Sequence, residues 1–370
     1  MDVRAMVIVG GDEGGVFGPG SPIAFLDVLG RPVLQRVLDR LQRFGVGDAT
    51  VVSEYPPPAR NFDSVTWVDT HGNEPWRAAE KVFSEMTQAG ARIVLILRVG
   101  AYAEIDYDDL VQFHLEHANR VTAVVQASGQ AVGVFAVNAS RHNDAGYLLR
   151  HRLGIARLPH SLYQFDGYVN CLEDAADLRY LAVDAFCGNA QLKPAGTEIK
   201  PGVWVGQGAT IHKRARVLAP CFIGAHARVR AAALITRCSV LEHHSLIDCG
   251  TVVDNATVLP HTAMGAGLDL SHAVVGPGRI AHLGRKVEVE VADTKLVGSV
   301  FAAPVRLLGH VASLAAFLPA QMARGLAGKP ARAAEPSVAD AVQVPSPVLD
   351  GTAQEEFPAN FVVARRYGNE

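Results

Sequence analysis

From Ile199 to Leu259 an aliphatic residue stands at every sixth position: Ile199, Val205, Ile211, Val217, Ile223, Val229, Ile235, Leu241, Ile247, Val253 and Leu259. Hydrophobic residues make up 49% of the chain, so such a run at one phase would arise by chance on the order of one time in two thousand. Four positions after each, from Val205 on, stands a small residue, a series that includes Ala209, Cys221, Ala233, Ser239, Thr257 and Ala263. Helices repeat every 3.6 residues and strands every 2, and neither gives a period of six. A parallel β-helix does, because each six-residue side turns one aliphatic side chain inward and needs a small inward residue near its corner. Three sides close a coil, so the segment 199–264 predicts between three and four coils held by parallel hydrogen bonds. Ile223 and Ile235 fall inside the prism, Arg228 and Arg237 outside it.

The first half of the chain has a different grammar. Apolar runs (AMVIV, ATVVS, SVTWV, RIVLIL, VTAVVQ) alternate with helical patterns over 32–44, 75–89 and 106–117, which predicts an open, mainly parallel sheet with helices on both faces. The first of these strands runs into VIVGGDEGGVFGPG, a glycine cluster (Gly10, Gly11, Gly14, Gly15) followed by a helix. Strand, glycine loop and helix in that order suit a phosphate cradle, because glycines let backbone N–H groups approach an anion closely; they equally suit a tight strand-to-helix connection. The loop carries Asp12 and Glu13, and no Lys or Arg stands between Arg4 and Arg31. Two carboxylates there repel a triphosphate.

A net charge of -3 gives no general attraction for nucleic acid, and no basic face is visible. Five cysteines, an odd number without a CxxC, match neither a disulfide framework nor a zinc site, and the start of the chain has no secretory pattern. A reducing cytoplasm is the expected setting.

The two halves together resemble the sugar-nucleotidyltransferases, the NDP-sugar pyrophosphorylases. VIVGG, DVLGRPVLQRVLDRLQRFGV and the hexapeptides carry the resemblance, which spans about residues 3–280. It implies a doubly wound, Rossmann-like nucleotidyltransferase domain followed by a left-handed β-helix. It also implies a set of groups that neutralise phosphates: a loop Arg, a Lys before an LLP-like segment, and two Asp residues holding Mg2+. Carried onto this chain, the loop Arg falls near Gly15 or Val16 and the Lys at Ile23. The first metal Asp falls at Gly100 in LILRVGAYAEIDYDDL, and the second at about Cys171 in FDGYVNCLED. The nucleotide-recognition segment becomes GNEPWRAA.

This pattern points to a catalytically degenerate relative, a regulatory, scaffold or NDP-sugar-sensing subunit of polysaccharide-precursor synthesis with a vestigial nucleotide site at Gly10, Gly11, Gly14, Gly15 and Arg77. No cofactor is required by that reading. An active pyrophosphorylase with unusual ligands is the alternative, and only it would need Mg2+. Asp106, Asp108 and Asp109 are the acids available to replace the lost ones, although acids in a helix's first turn also serve its dipole. A β-helix acyltransferase working from acyl-CoA is a further alternative, with His243, His244 or His261 as base; EHHS reads equally as two outward-facing coil residues.

The expected divisions are 1–190 for the α/β domain, 191–290 for the β-helix, 291–325 for an amphipathic helical extension and 326–370 for an Ala/Pro-rich tail. Flat coil sides and the apolar face of 296–318 suggest a homo-oligomer, with an active nucleotidyltransferase or another polysaccharide-synthesis enzyme as further partner. The same helix could touch a membrane peripherally.

Overall fold

The computed structural model describes residues 2–10, 22–46, 49–56, 65–70, 75–154 and 160–302. The first half forms a seven-stranded sheet in the order Ser161–Phe165, Val121–Gln126, Ala131–Asn138, Ile93–Arg98, Val3–Val9, Ala49–Ser53, Val65–Asp69. The last four run parallel, as the apolar runs predicted. Ala131–Asn138 runs antiparallel to both neighbours, and the sheet is therefore mixed. This strand is the hairpin partner of Val121–Gln126, and its start consequently lies where the parallel strands end.

Alternate side chains of the buried strands feed two cores. Ala5, Val7, Val9, Leu95 and Leu97 pack with helices α1 (Val33–Arg43), α3 (Tyr107–Glu116) and α5 (Ala175–Cys187). Met6, Ile8, Val94 and Ile96 pack with α2 (Pro75–Gln88) and α4 (His142–Arg150) on the opposite face. Period two with both phases apolar is what a strand covered on both sides requires.

The second half consists of short strands stacked in three sheets, consistent with a β-helix. Ile223, Val229 and Ile235 are buried on successive sides, as the six-residue period predicted. Val203 pairs with Cys221 and Cys221 with Ser239, eighteen positions apart each time, so these coils hold three hexapeptides.

Two members of the repeat need correction. Ile199 lies exposed in Thr197–Lys200, a strand that caps the stack antiparallel instead of joining it. At the other end, Val240 pairs with Thr257 and Ile247 with Met264, only seventeen apart. One corner is a residue short at Asp254–Ala256, where Asn255 takes a left-handed φ of 46°. Val258 therefore occupies the interior and Ala256 is buried with it, in place of Leu259 and Thr257. Leu259 packs instead into the core that includes α1 and α5, together with Phe222, Val240 and Val274.

Those residues make one side of the coils a docking surface. Trp204, Phe222, Val240, Thr257 and Val274 are successive register partners on the first sheet, and the apolar members join the α/β core.

The expected helix over 296–318 also needs correction where it is described. Val297–Ser299 is a strand pairing antiparallel with Thr262–Met264, and Val297 is buried in the coil interior. It covers the side of Thr262–Met264 opposite Leu246–Ile247 and closes that sheet. Positions 303–325 of the extension and the tail from 326 lie outside the described residues. Among the described residues no helix is long and apolar enough to cross a membrane.

Candidate functional site

The parallel strands end at one edge of the sheet, the edge where open α/β sheets bind ligands. A cleft of about 370 Å³ opens there, lined by Arg98, Gly100, Gln130, Gly133, Cys171 and Glu173 among others. Arg98 is the last residue of its strand, and Gly100 stands two residues on. Gly133 arrives on the antiparallel strand and Gln130 just before it. Cys171 is brought in because Val169–Asn170 pairs with Tyr102–Ala103, just beyond Gly100.

The two positions that the resemblance assigns to metal carboxylates thus meet in one cleft. Neither suits Mg2+, which takes hard oxygen ligands. Gly100 has no side chain, and Cys171 carries a thiol whose pKa is pushed up by burial and by the carboxylates of Glu173 and Asp177, so it stays protonated. Glu173 is the one carboxylate among the described residues of the lining. Among the described residues no group of three or more His, Cys, Asp or Glu is arranged to hold a metal.

Ile23, standing where the resemblance puts a lysine, also lines the cleft. Gly10 opens the glycine cluster with φ 148°, and a Cβ there would lie 2.8 Å from Cδ of Glu54. Glu54 thus stands beside Gly10, the residue at which the sequence enters the segment carrying Asp12 and Glu13. Gly11, Gly14 and Gly15 lie outside the described residues. Arg77 is exposed on α2 and is not among the residues lining the cleft.

The replacement acids are engaged elsewhere. Asp106 caps α3, accepting from the amides of Asp108 at 3.0 Å and Asp109 at 3.2 Å. Asp109 accepts from the Tyr163 hydroxyl. Cap and first turn are the roles that acids take at a helix start.

The histidines form a second cluster, and their neighbours separate them. His244 is exposed on a corner with φ 55°. His243, with its ring centroid 5.5 Å from that of His244, is partly buried and pairs through Nδ1 with Asp27, which is 3% exposed in the α/β half. EHHS therefore does not place both rings on one exposed side. His226 and His261 occupy the same corner one coil above and one below His244, with ring centroids 4.9 and 5.1 Å from it. The side-chain oxygen of Glu242 accepts from the Gly30 amide at 2.9 Å. Burial and the nearby Asp27 carboxylate push the Glu242 pKa up to about 8.

Gly30 must be glycine at this joint, since φ is 84° and a Cβ would meet Phe222 Cζ at 2.7 Å. Arg36 holds the same turn, donating from Nη2 to the Val28 carbonyl at 2.6 Å, and burial pushes its pKa down to about 10. His243 is thus part of the seam between sheet domain and coils.

The sequence reading missed Arg98, Asp27, Glu242 and His226. A signal existed for three of them: His226 stands one coil before His244, DVLGRP begins with Asp27, and Arg98 ends an otherwise apolar strand. No family model matches the chain, and no curated protein matches it either.

Proposed function

We propose that this chain is a catalytically degenerate relative of the NDP-sugar pyrophosphorylases. Its Rossmann-like domain keeps a sugar-nucleotide cleft, its β-helix is left-handed, and it serves polysaccharide-precursor synthesis in the cytoplasm as a sensing or scaffold subunit. The observation that carries this reading is the meeting of Gly100 and Cys171 in a single cleft at the strand ends. In-line attack of a sugar phosphate on an α-phosphate needs anions neutralised on both sides, and two metal-holding carboxylates at these positions would serve that need. The cleft remains while the groups for the reaction are replaced.

A binding panel tests the reading. Ligand at a hundred times its Kd stabilises the fold by about 2.7 kcal/mol, enough for a readable thermal shift. NDP-sugars are expected to raise the melting temperature of the full chain, and NTPs, with more phosphate charge against Asp12, Glu13 and Glu54, less so. A shift with acyl-CoA alone would favour the acyltransferase alternative, and a shift with NTP alone would contradict the proposal. Self-association through the coil sides is expected as well, and light scattering that finds a monomer at tens of micromolar would remove that part.

A further inference from the structure

The sugar-nucleotide reading leaves one question of charge. A diphosphate carries at least two negative charges, and burying it without a cation costs more than its hydrogen bonds return. The chain has no Lys or Arg from position 5 to 30, so the glycine loop supplies no cation. A metal does not fit either, as Gly100 and Cys171 show. Arg98 is the one cation among the described residues lining the cleft.

Its position suits the role. Arg98 is paired beside Ile8 in the register of the central strands, and Val99 donates to the Ile8 carbonyl at 3.1 Å. It therefore stands on a rigid strand at the sheet edge, two residues before the position the resemblance gives to the first metal ligand. Guanidinium matches two phosphate oxygens with a planar fork. On the same lining, Glu173 and Gln130 supply acceptors and donors suited to sugar hydroxyls.

We propose that Arg98 takes over the charge of the missing metal, so that the cleft holds the diphosphate of a sugar nucleotide without a divalent cation. This rests on the sugar-nucleotide reading and adds to it a binding residue and a metal-independent mode.

Calorimetric titration of the full chain with ADP-glucose, UDP-glucose and inorganic diphosphate tests it, each in EDTA and again in MgCl2. The expected result is binding of at least one NDP-glucose that EDTA leaves unchanged and that Arg98→Gln weakens about tenfold or more. Arg98→Lys keeps the charge but loses the fork and is expected to fall between the two, which also covers the case of Arg98→Gln failing to fold. Binding by the wild type that needs Mg2+ would overturn the proposal and point to Glu173 as a metal ligand. Binding that both variants retain in full would overturn it too, leaving the sugar-nucleotide reading intact. No binding of either NDP-glucose by the wild type would remove that reading, and Arg98's role with it.

Discussion

Glu242 is 1% exposed, accepts from the Gly30 amide and lies near the Asp27 carboxylate, so its charged form is disfavoured in the folded protein. Its pKa there is about 8 against an ordinary 4.5. Between those values the folded chain holds a proton that the unfolded chain has released, so stability is full below the lower value and falls as pH rises through the window. Glu242→Gln removes that dependence. Chemical denaturation at pH 4.5 and 8.5 should find the variant close to wild type at the lower pH and more stable by a few kcal/mol, on the order of 3, at the higher. Equal curves at both pH values would mean that the carboxyl is ionised without cost.

The same scale separates inward from outward positions on the coils. Ile235 is fully buried, and Ile235→Asp would bury an unpaired carboxylate at a cost of several kcal/mol. Arg228 is exposed, and Arg228→Ala should cost less than about 1 kcal/mol. Arg237 also lies outside the prism but has a buried partner. Its guanidinium donates to Asp254 at 2.6 Å, and Asp254 is itself buried at the short corner. Arg237→Ala should therefore cost more than Arg228→Ala, and denaturation midpoints in one buffer decide the order.

At the scale of elements, the short corner at Asp254–Ala256 explains where the period of six stopped being legible. A fixed phase counted across that corner assigns Leu259 to the interior, because nothing in DNATVLP marks a missing residue and both Val258 and Leu259 are aliphatic. Only the pairing of Val240 with Thr257 reveals the step. Val258→Asp should unfold the coils. Leu259→Asp should leave their strands paired and loosen the seam with the sheet domain, where Phe222, Val240 and Val274 also pack. Calorimetry distinguishes them: Leu259→Asp is expected to split one transition into two, and identical behaviour of the two variants would sink the corrected register.

The sheet was legible for a related reason. Strands buried on both faces read as continuous apolar runs, which accounts for four of the five runs visible in the sequence; the fifth, Val65–Asp69, is a half-buried edge strand. Ala131–Asn138 escaped because its GVFAVN follows a hairpin and belongs to no strand-helix alternation.

At the scale of the whole chain, repeats that touch only their neighbours suggest two halves melting apart. The shared core of Phe222, Val240, Leu259 and Val274 with α1 and α5 argues for one coupled transition in the wild type. The candidate site was legible as an absence: no basic groups in the loop, and glycine and cysteine where the resemblance would put metal ligands. The replacement proposed for them was not, because Arg98 joins the other lining residues only when the antiparallel strand and the Val169–Asn170 pairing bring them to one cleft. Hexapeptide spacing likewise placed His243 and His244 side by side without revealing that Asp27 claims one of them.

The central claim is that a cleft of the pyrophosphorylase type persists here without the chemistry. Pyrophosphate release tests it most directly, followed continuously with the full chain, Mg2+, each of the four common NTPs and a set of hexose 1-phosphates. The account predicts no release above the rate without protein. Turnover of about 1 s⁻¹, ordinary for an enzyme, with any pair of substrates would contradict it.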